Sequence, residues 1–202
     1  MLMRVNQQAR RPRQTEGGFS LLELIVVVAI IMVAVGVSVV NVIPTIRNSR
    51  METALQTTLM QVRRARQSAV DERRVYAVNF TLPGTIQTQR LELDGTLTLV
   101  SQIDIPTDIS FRAELGIPNS PLATPDGFGA GAVAIDFNGG NQIFFQADGS
   151  AEDNLGRVLN GVLYMARPGE PTSSRAVSLF GATGRLKGWK LMPQDGGTVA
   201  WR

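Results

Sequence analysis

The chain contains no cysteine and no histidine. Without cysteine there is no disulfide-stapled fold and no thiolate metal site. Without histidine the usual general base and the commonest metal ligand are both missing. No remaining nucleophile falls into a pattern that pairs it with a base, so catalysis is not expected. Residues 181–185 lack the Gly-Lys-Ser/Thr ending of a phosphate loop. Neither a metal nor a cofactor is expected. Asp148, Ser150, Glu152, Asp153 and Asn154 carry oxygens of the kind calcium takes, but Asp153 stands where an EF-hand loop needs glycine. An acid-rich turn is the expectation there.

Length and charge narrow the class further. Its 202 residues suffice for one globular domain and a long helix. The formal net charge is +3, and Arg4, Arg10, Arg11 and Arg13 against Glu16 account for all of it. From residue 19 onward the chain is formally neutral but uneven. Residues 47–74 carry a net +4, 75–175 a net −6 and 176–202 a net +3. Such polarity orients a subunit against its neighbours or presents an anion site, and it is also common on plain solvated surfaces.

An ordinary secretory signal places small residues after a short apolar core; this chain places them before it. Gly17-Gly18-Phe19-Ser20-Leu21-Leu22-Glu23-Leu24 ends a basic leader and opens the apolar run IVVVAIIMVAVGVSVVNVI. Between residues 24 and 43 only Ser38 and Asn41 are polar, so the segment is long enough to span a bilayer as a helix. Ala34-Val35-Gly36 is the alternative, a weak cleavage site of the ordinary kind. The leader arginines favour a cytoplasmic N-terminus. Glu23 is costly so near the start of a membrane helix and requires a partner. Pro44 removes one helical hydrogen bond.

Over residues 18–40 the pattern resembles the class III signal of prepilins, the type IV pilin-like family. The resemblance implies cleavage after Gly18 by a prepilin peptidase and methylation of the new N-terminal residue, Phe19. It also implies that the apolar helix is retained as an anchor and packs with other pilins or pseudopilins. Glu23 lies one turn after Phe19 on the same helix face. Its expected partner is the N-terminal ammonium of a neighbouring subunit, a pair that fixes axial register; the alternative is a carboxylate snorkelling at the membrane surface. Gly18, lacking a side chain, suits an extended peptidase cleft. The protein would then cross the bacterial inner membrane once, N-terminus in the cytoplasm and head in the periplasm, before assembly into a pilus or pseudopilus.

Beyond Pro44 the pattern becomes amphipathic, with Met51, Leu55, Leu59, Val62, Ala65 and Ala69 at three- and four-residue spacing. After Arg74 the period changes to two. Strands are predicted over residues 75–80, 86–93, 97–100, 109–115, 132–137, 142–146, 162–166 and 176–180, the last continuing through 185–191. The Pro- and Gly-rich stretch 115–131 reads as a long loop. The expected fold class is α+β: a long N-terminal α-helix, transmembrane in its first half, packed on a C-terminal antiparallel sheet or sandwich. Residues 1–18 form the leader, 19–43 the membrane and assembly helix, 44–74 its amphipathic continuation and 75–202 the β-rich head.

This second part resembles one branch of the same family, the GspH/FimT group of minor pseudopilins and minor pilins. The residues concerned are VRRARQSAVDERRVYAVNF at 62–80, IFFQADG at 143–149, and RAVSLF at 175–180 leading to Gly184-Arg185. The resemblance implies a structural or initiating subunit of a type II secretion pseudopilus or a type IV pilus. A second reading is a minor pilin that binds DNA for uptake. In that reading Gly184-Arg185-Leu186-Lys187 stands for the branch's Gly-Arg-x-Arg element, with lysine keeping the charge but not the bidentate fork. Arg185 and Lys187 share one side of a strand, followed by Trp189 and Lys190, a combination suited to phosphates and stacked bases. The alternative is a solvated hairpin with Trp189 packed on the sheet.

Overall fold

A computed structural model describes residues 20–202 except 119–122, 130–132, 139 and 195; the side chains of 37–42 also lie outside the described set. The chain divides into two units, Met1–Pro44 and Thr45–Arg202. Helix α1, Leu21–Glu72, begins in the first and ends in the second, with Pro44 inside it.

In the first unit Ser20 caps the helix. Its Oγ accepts the Glu23 N–H at 3.4 Å, and its carbonyl accepts the Leu24 N–H at 3.1 Å. Every described side chain from Leu21 to Gly36 is exposed, Leu22 at 72% and Met32 at 70% among them. A continuous apolar surface of this kind needs lipid or protein to cover it. Among the described residues no helix is both long and apolar enough to cross a membrane. Side chains are described only to Gly36 and again from Ile43, whereas the apolar run continues through that gap in sequence.

The second unit has its own core. Met51, Leu55, Leu59, Val62, Ala65 and Ala69 are all buried, as their spacing predicts, together with Ala54 and Thr58. The helix closes at Arg73, which takes φ 51°, while the Arg74 N–H donates to the Ala69 carbonyl at 3.2 Å.

Eleven strands follow among the described residues: β1 Tyr76–Thr81, β2 Thr85–Leu91, β3 Leu97–Asp104, β4 Ser110–Phe111, β5 Ile135–Phe137, β6 Gln142–Phe145, β7 Ala151–Glu152, β8 Asn160–Ala166, β9 Arg175–Phe180, β10 Arg185–Pro193 and β11 Val199–Trp201. They form two antiparallel sheets, ordered β3-β2-β1-β6-β7 and β11-β10-β9-β8-β4, with β5 also paired to β8. The fold is therefore α+β, a long helix followed by antiparallel sheet.

The main core gathers the helix stripe with Val78, Phe80, Ile86, Ile143, Phe145, Leu163, Val177 and Leu179. A second cluster holds Val162, Tyr164, Ala176, Leu191 and Trp201, with Phe128 and Trp189 packed against it. Adjacent residues of β8 and β9 divide between the clusters, as strand alternation requires, so the second sheet is covered on both faces. Gly161 on β8 lies opposite Phe137; a Cβ there would come within 2.2 Å of the Asp136 carbonyl.

The structure departs from the expected strands in several places: β3 runs four residues past the expected 97–100, to Asp104, and β5 begins at Ile135 rather than at 132. Residues 109–115 yield only the two-residue β4. The segment 185–191 is not a continuation of β9 but a separate strand, because residues 181–184 turn the chain back into a hairpin. β7 and β11 were not expected, since two or three residues are too few to show alternation. The loop 115–131 contains a short 3-10 turn, Pro125–Gly127.

Candidate functional site

Gly18 and Phe19, the expected cleavage and methylation pair, lie outside the described residues. Glu23 is described. It occupies the first turn of α1, where the helix dipole favours a carboxylate, and its side chain is exposed. Among the described residues it makes no ion pair. Ser20, which the sequence reading passed over, sets where this turn begins; Ser-x-x-Glu opening an apolar run was the available signal.

The other candidate residues lie on β10. Arg185 and Lys187 are exposed and Trp189 is half-buried, all on one face of the strand. Their partners across β9 are Phe180, Ser178 and Ala176. The Arg185 guanidinium lies 6.0 Å from the Phe180 ring centroid, and the Lys187 ammonium 3.4 Å from that of Trp189. The Trp189 indole N–H donates to the Ser178 hydroxyl at 2.9 Å, and that hydroxyl donates to the Asp126 carboxylate at 2.5 Å. Phe128 stacks on Phe180 with centroids 6.3 Å apart.

Two cations and three aromatics are thus brought together, but one ring face of Trp189 is occupied by Lys187 and its N–H is already committed. Lys190 is not part of this group. It pairs with Arg175, and alternation sends it to the opposite face. Ser178, Phe180 and Asp126 were missed in sequence, because finding them requires the β9–β10 register and the path of a distant loop.

Arg66 of α1 supports the hairpin from below. Its Nε donates to the Gly149 carbonyl and its Nη2 to the Thr183 carbonyl, each at 3.0 Å. The acid-rich turns serve themselves. Asp148 accepts the Ser150 hydroxyl and N–H, which hold its carboxyl below the usual range. Asp153 is lowered chiefly by the Arg157 guanidinium. Among the described residues no cluster of three Asp or Glu side chains is placed to hold a metal ion.

Residues 13–39 match the family described as the prokaryotic N-terminal methylation motif. The match covers the end of the basic leader and most of the apolar run, the stretch that resembles a prepilin signal. Comparison with curated proteins gives no match. Among solved structures the chain is similar to the minor pseudopilin EpsH from the type 2 secretion system of Vibrio cholerae, at 12% identity and a TM-score of 0.46, covering 69% of this chain and 95% of that one. It is also similar to the type IV minor pilin FimU of Pseudomonas aeruginosa, at 13% identity and a TM-score of 0.45, covering 69% and 87%.

Proposed function

We propose that this protein is a minor pilin or pseudopilin, a structural or initiating subunit of a type II secretion pseudopilus or a type IV pilus. The methylation motif at residues 13–39, which takes in the start of an exposed apolar helix with Glu23 in its first turn, is the observation that carries this reading. A prepilin peptidase cuts after Gly18 and Phe19 is N-methylated. The helix holds the subunit in the inner membrane, head outward, until assembly.

Within the filament Glu23 meets the methylated N-terminal ammonium of a neighbour. At 4 Å and an effective dielectric of 20 the attraction is about 4 kcal/mol before desolvation is subtracted. Much of that offsets the cost of removing both charges from water, so the pair acts mainly on register. Replacing Glu23 with Val removes the charge but keeps the helix apolar. The expected outcome is a processed protein that stays in the membrane fraction and is not recovered with sheared filaments. Normal recovery of the Glu23→Val protein in filaments would sink the role given to this residue.

One observation favours a second reading, DNA capture: Arg185 and Lys187 stand exposed on the same side of β10. Salt-sensitive DNA binding that disappears in an Arg185→Ala/Lys187→Ala protein would support it. Absence of binding at low salt would remove it.

A further inference from the structure

β3 is the outer strand of the first sheet, and no described residue pairs with its free edge. Such an edge offers a row of backbone donors and acceptors, and proteins usually blunt it with lysine, proline or a cover. β3 reads LTLVSQID, with no lysine and no proline. Leu97, Leu99 and Val100 are exposed at 40%, 53% and 52%. One device is present: the register with β2 shifts between Thr88 and Gln89, leaving Val100 as a bulge. The bulge divides the edge and opposes full-length pairing with an identical strand. The regular stretch Ser101–Asp104 remains, opposite Thr85–Thr88.

That stretch borders a groove of about 370 Å³ between α1 and β3, lined by Thr57, Met60, Gln61, Arg63, Arg64 and Ile103. Gln61 forms the floor: its amide donates to the Thr88 hydroxyl at 2.9 Å and to Ser101 Oγ. Met60, 66% exposed, and Ile103 supply an apolar wall. Arg63 and Arg64 are exposed and make no ion pair among the described residues, unlike Arg47, Arg50, Arg74 and Arg90.

From this we infer that the Ser101–Asp104 edge and its groove form a docking site for an extended acidic segment of another polypeptide. The segment adds a strand to β3, places an aliphatic side chain against Met60 and Ile103, and presents carboxylates to Arg63 and Arg64. Charge complementarity selects this occupant: the two free guanidiniums disfavour a basic strand, and the bulge disfavours a second copy of β3. The inference stands apart from the membrane-anchor reading, because every residue in it belongs to the second unit.

The test uses the full chain in detergent and two synthetic peptides of about ten residues, alternating Val with Glu in one and Val with Lys in the other. The acidic peptide is expected to bind at least about ten-fold more tightly than the basic one, with hydrogen-exchange protection appearing at Ser101–Asp104. In an Arg63→Glu/Arg64→Glu protein, whose changes are confined to exposed positions, that preference is expected to reverse. Equal binding of both peptides, protection elsewhere, or no binding at all would overturn the proposal. Self-association of the chain protecting the same amides without peptide would also overturn it, by assigning the edge to a second copy.

Discussion

The Arg66 guanidinium lies 3.0 Å from the carbonyl of Gly149, 83 residues away, and reaches the Thr183 carbonyl with its other arm. One side chain of the helix thereby joins the β6–β7 turn of the first sheet to the β9–β10 turn of the second. A charged donor to two carbonyls stabilises more than a neutral one.

Replacing Arg66 with Ala is expected to destabilise the protein by about 1–3 kcal/mol. Lysine keeps the charge but lacks the fork, so Arg66→Lys recovers less than half of the loss. Denaturant unfolding followed by circular dichroism measures both. Unchanged stability of the alanine protein would show that the two turns hold themselves.

Gly184 completes the same junction. Its φ is +61°, and a Cβ there would lie 2.1 Å from the Gly149 carbonyl and 2.5 Å from Arg66 Nε. Gly184→Ala is expected to cost about 2 kcal/mol or more, through backbone strain and displacement of the Arg66 contact. Combined with Arg66→Ala, the cost is less than additive, because both act on one contact. A double-mutant cycle reads the coupling; strict additivity would contradict this geometry.

Tyr164 ties stability to alkaline pH. Burial, with Asp136 nearby, pushes its phenol up to about 12. Folding therefore favours the neutral form. The stabilisation is complete below the unfolded value of about 10 and is lost as pH rises through the folded value. Over that window the wild-type protein is expected to lose about 2 kcal/mol more than a Tyr164→Phe variant. Tyr76, also raised by burial, leaves a residual decline in the variant. Urea unfolding at a series of alkaline pH values checks the difference, and identical profiles would refute it.

On the β10 face, Lys187→Ala removes the cation over Trp189 and is expected to cost about 0.5–1 kcal/mol. Trp189→Phe leaves Ser178 without its donor and costs about 1 kcal/mol. In a Trp201→Phe background the emission of Trp189 reports the first change directly. No spectral shift on loss of Lys187 would mean that the ammonium does not rest on the ring in solution.

Much of the fold was legible because burial and period agree. The three- and four-residue spacing of Met51 to Ala69 named the buried helix stripe, and the change to period two after Arg74 located β1 and β2. What stayed hidden depended on partners distant in the chain. Ser178 reads as one polar residue in an apolar strand until the register sets it beside Lys187 and brings Asp126 to its hydroxyl. Arg66 reads as one more cation of a basic stem, since nothing local marks it as the residue that grips two turns. β11 is too short for periodicity and is held by pairing with β10 and by the Trp201 indole donating to the Pro118 carbonyl. Of the candidate site, Glu23 and the Gly18-Phe19 pair stand out in the sequence because an acid in an apolar run and glycine before it are anomalies of composition; Glu23 lies exposed in the first helical turn, and Gly18 and Phe19 lie outside the described residues.

Processing at the N-terminus is decided by the intact mass and N-terminal sequence of the protein extracted from membranes after co-expression with a prepilin peptidase. The expected result is loss of residues 1–18 and a chain that begins at Phe19 carrying one added methyl group. Retention of the leader, or a new N-terminus after Gly36, would contradict it.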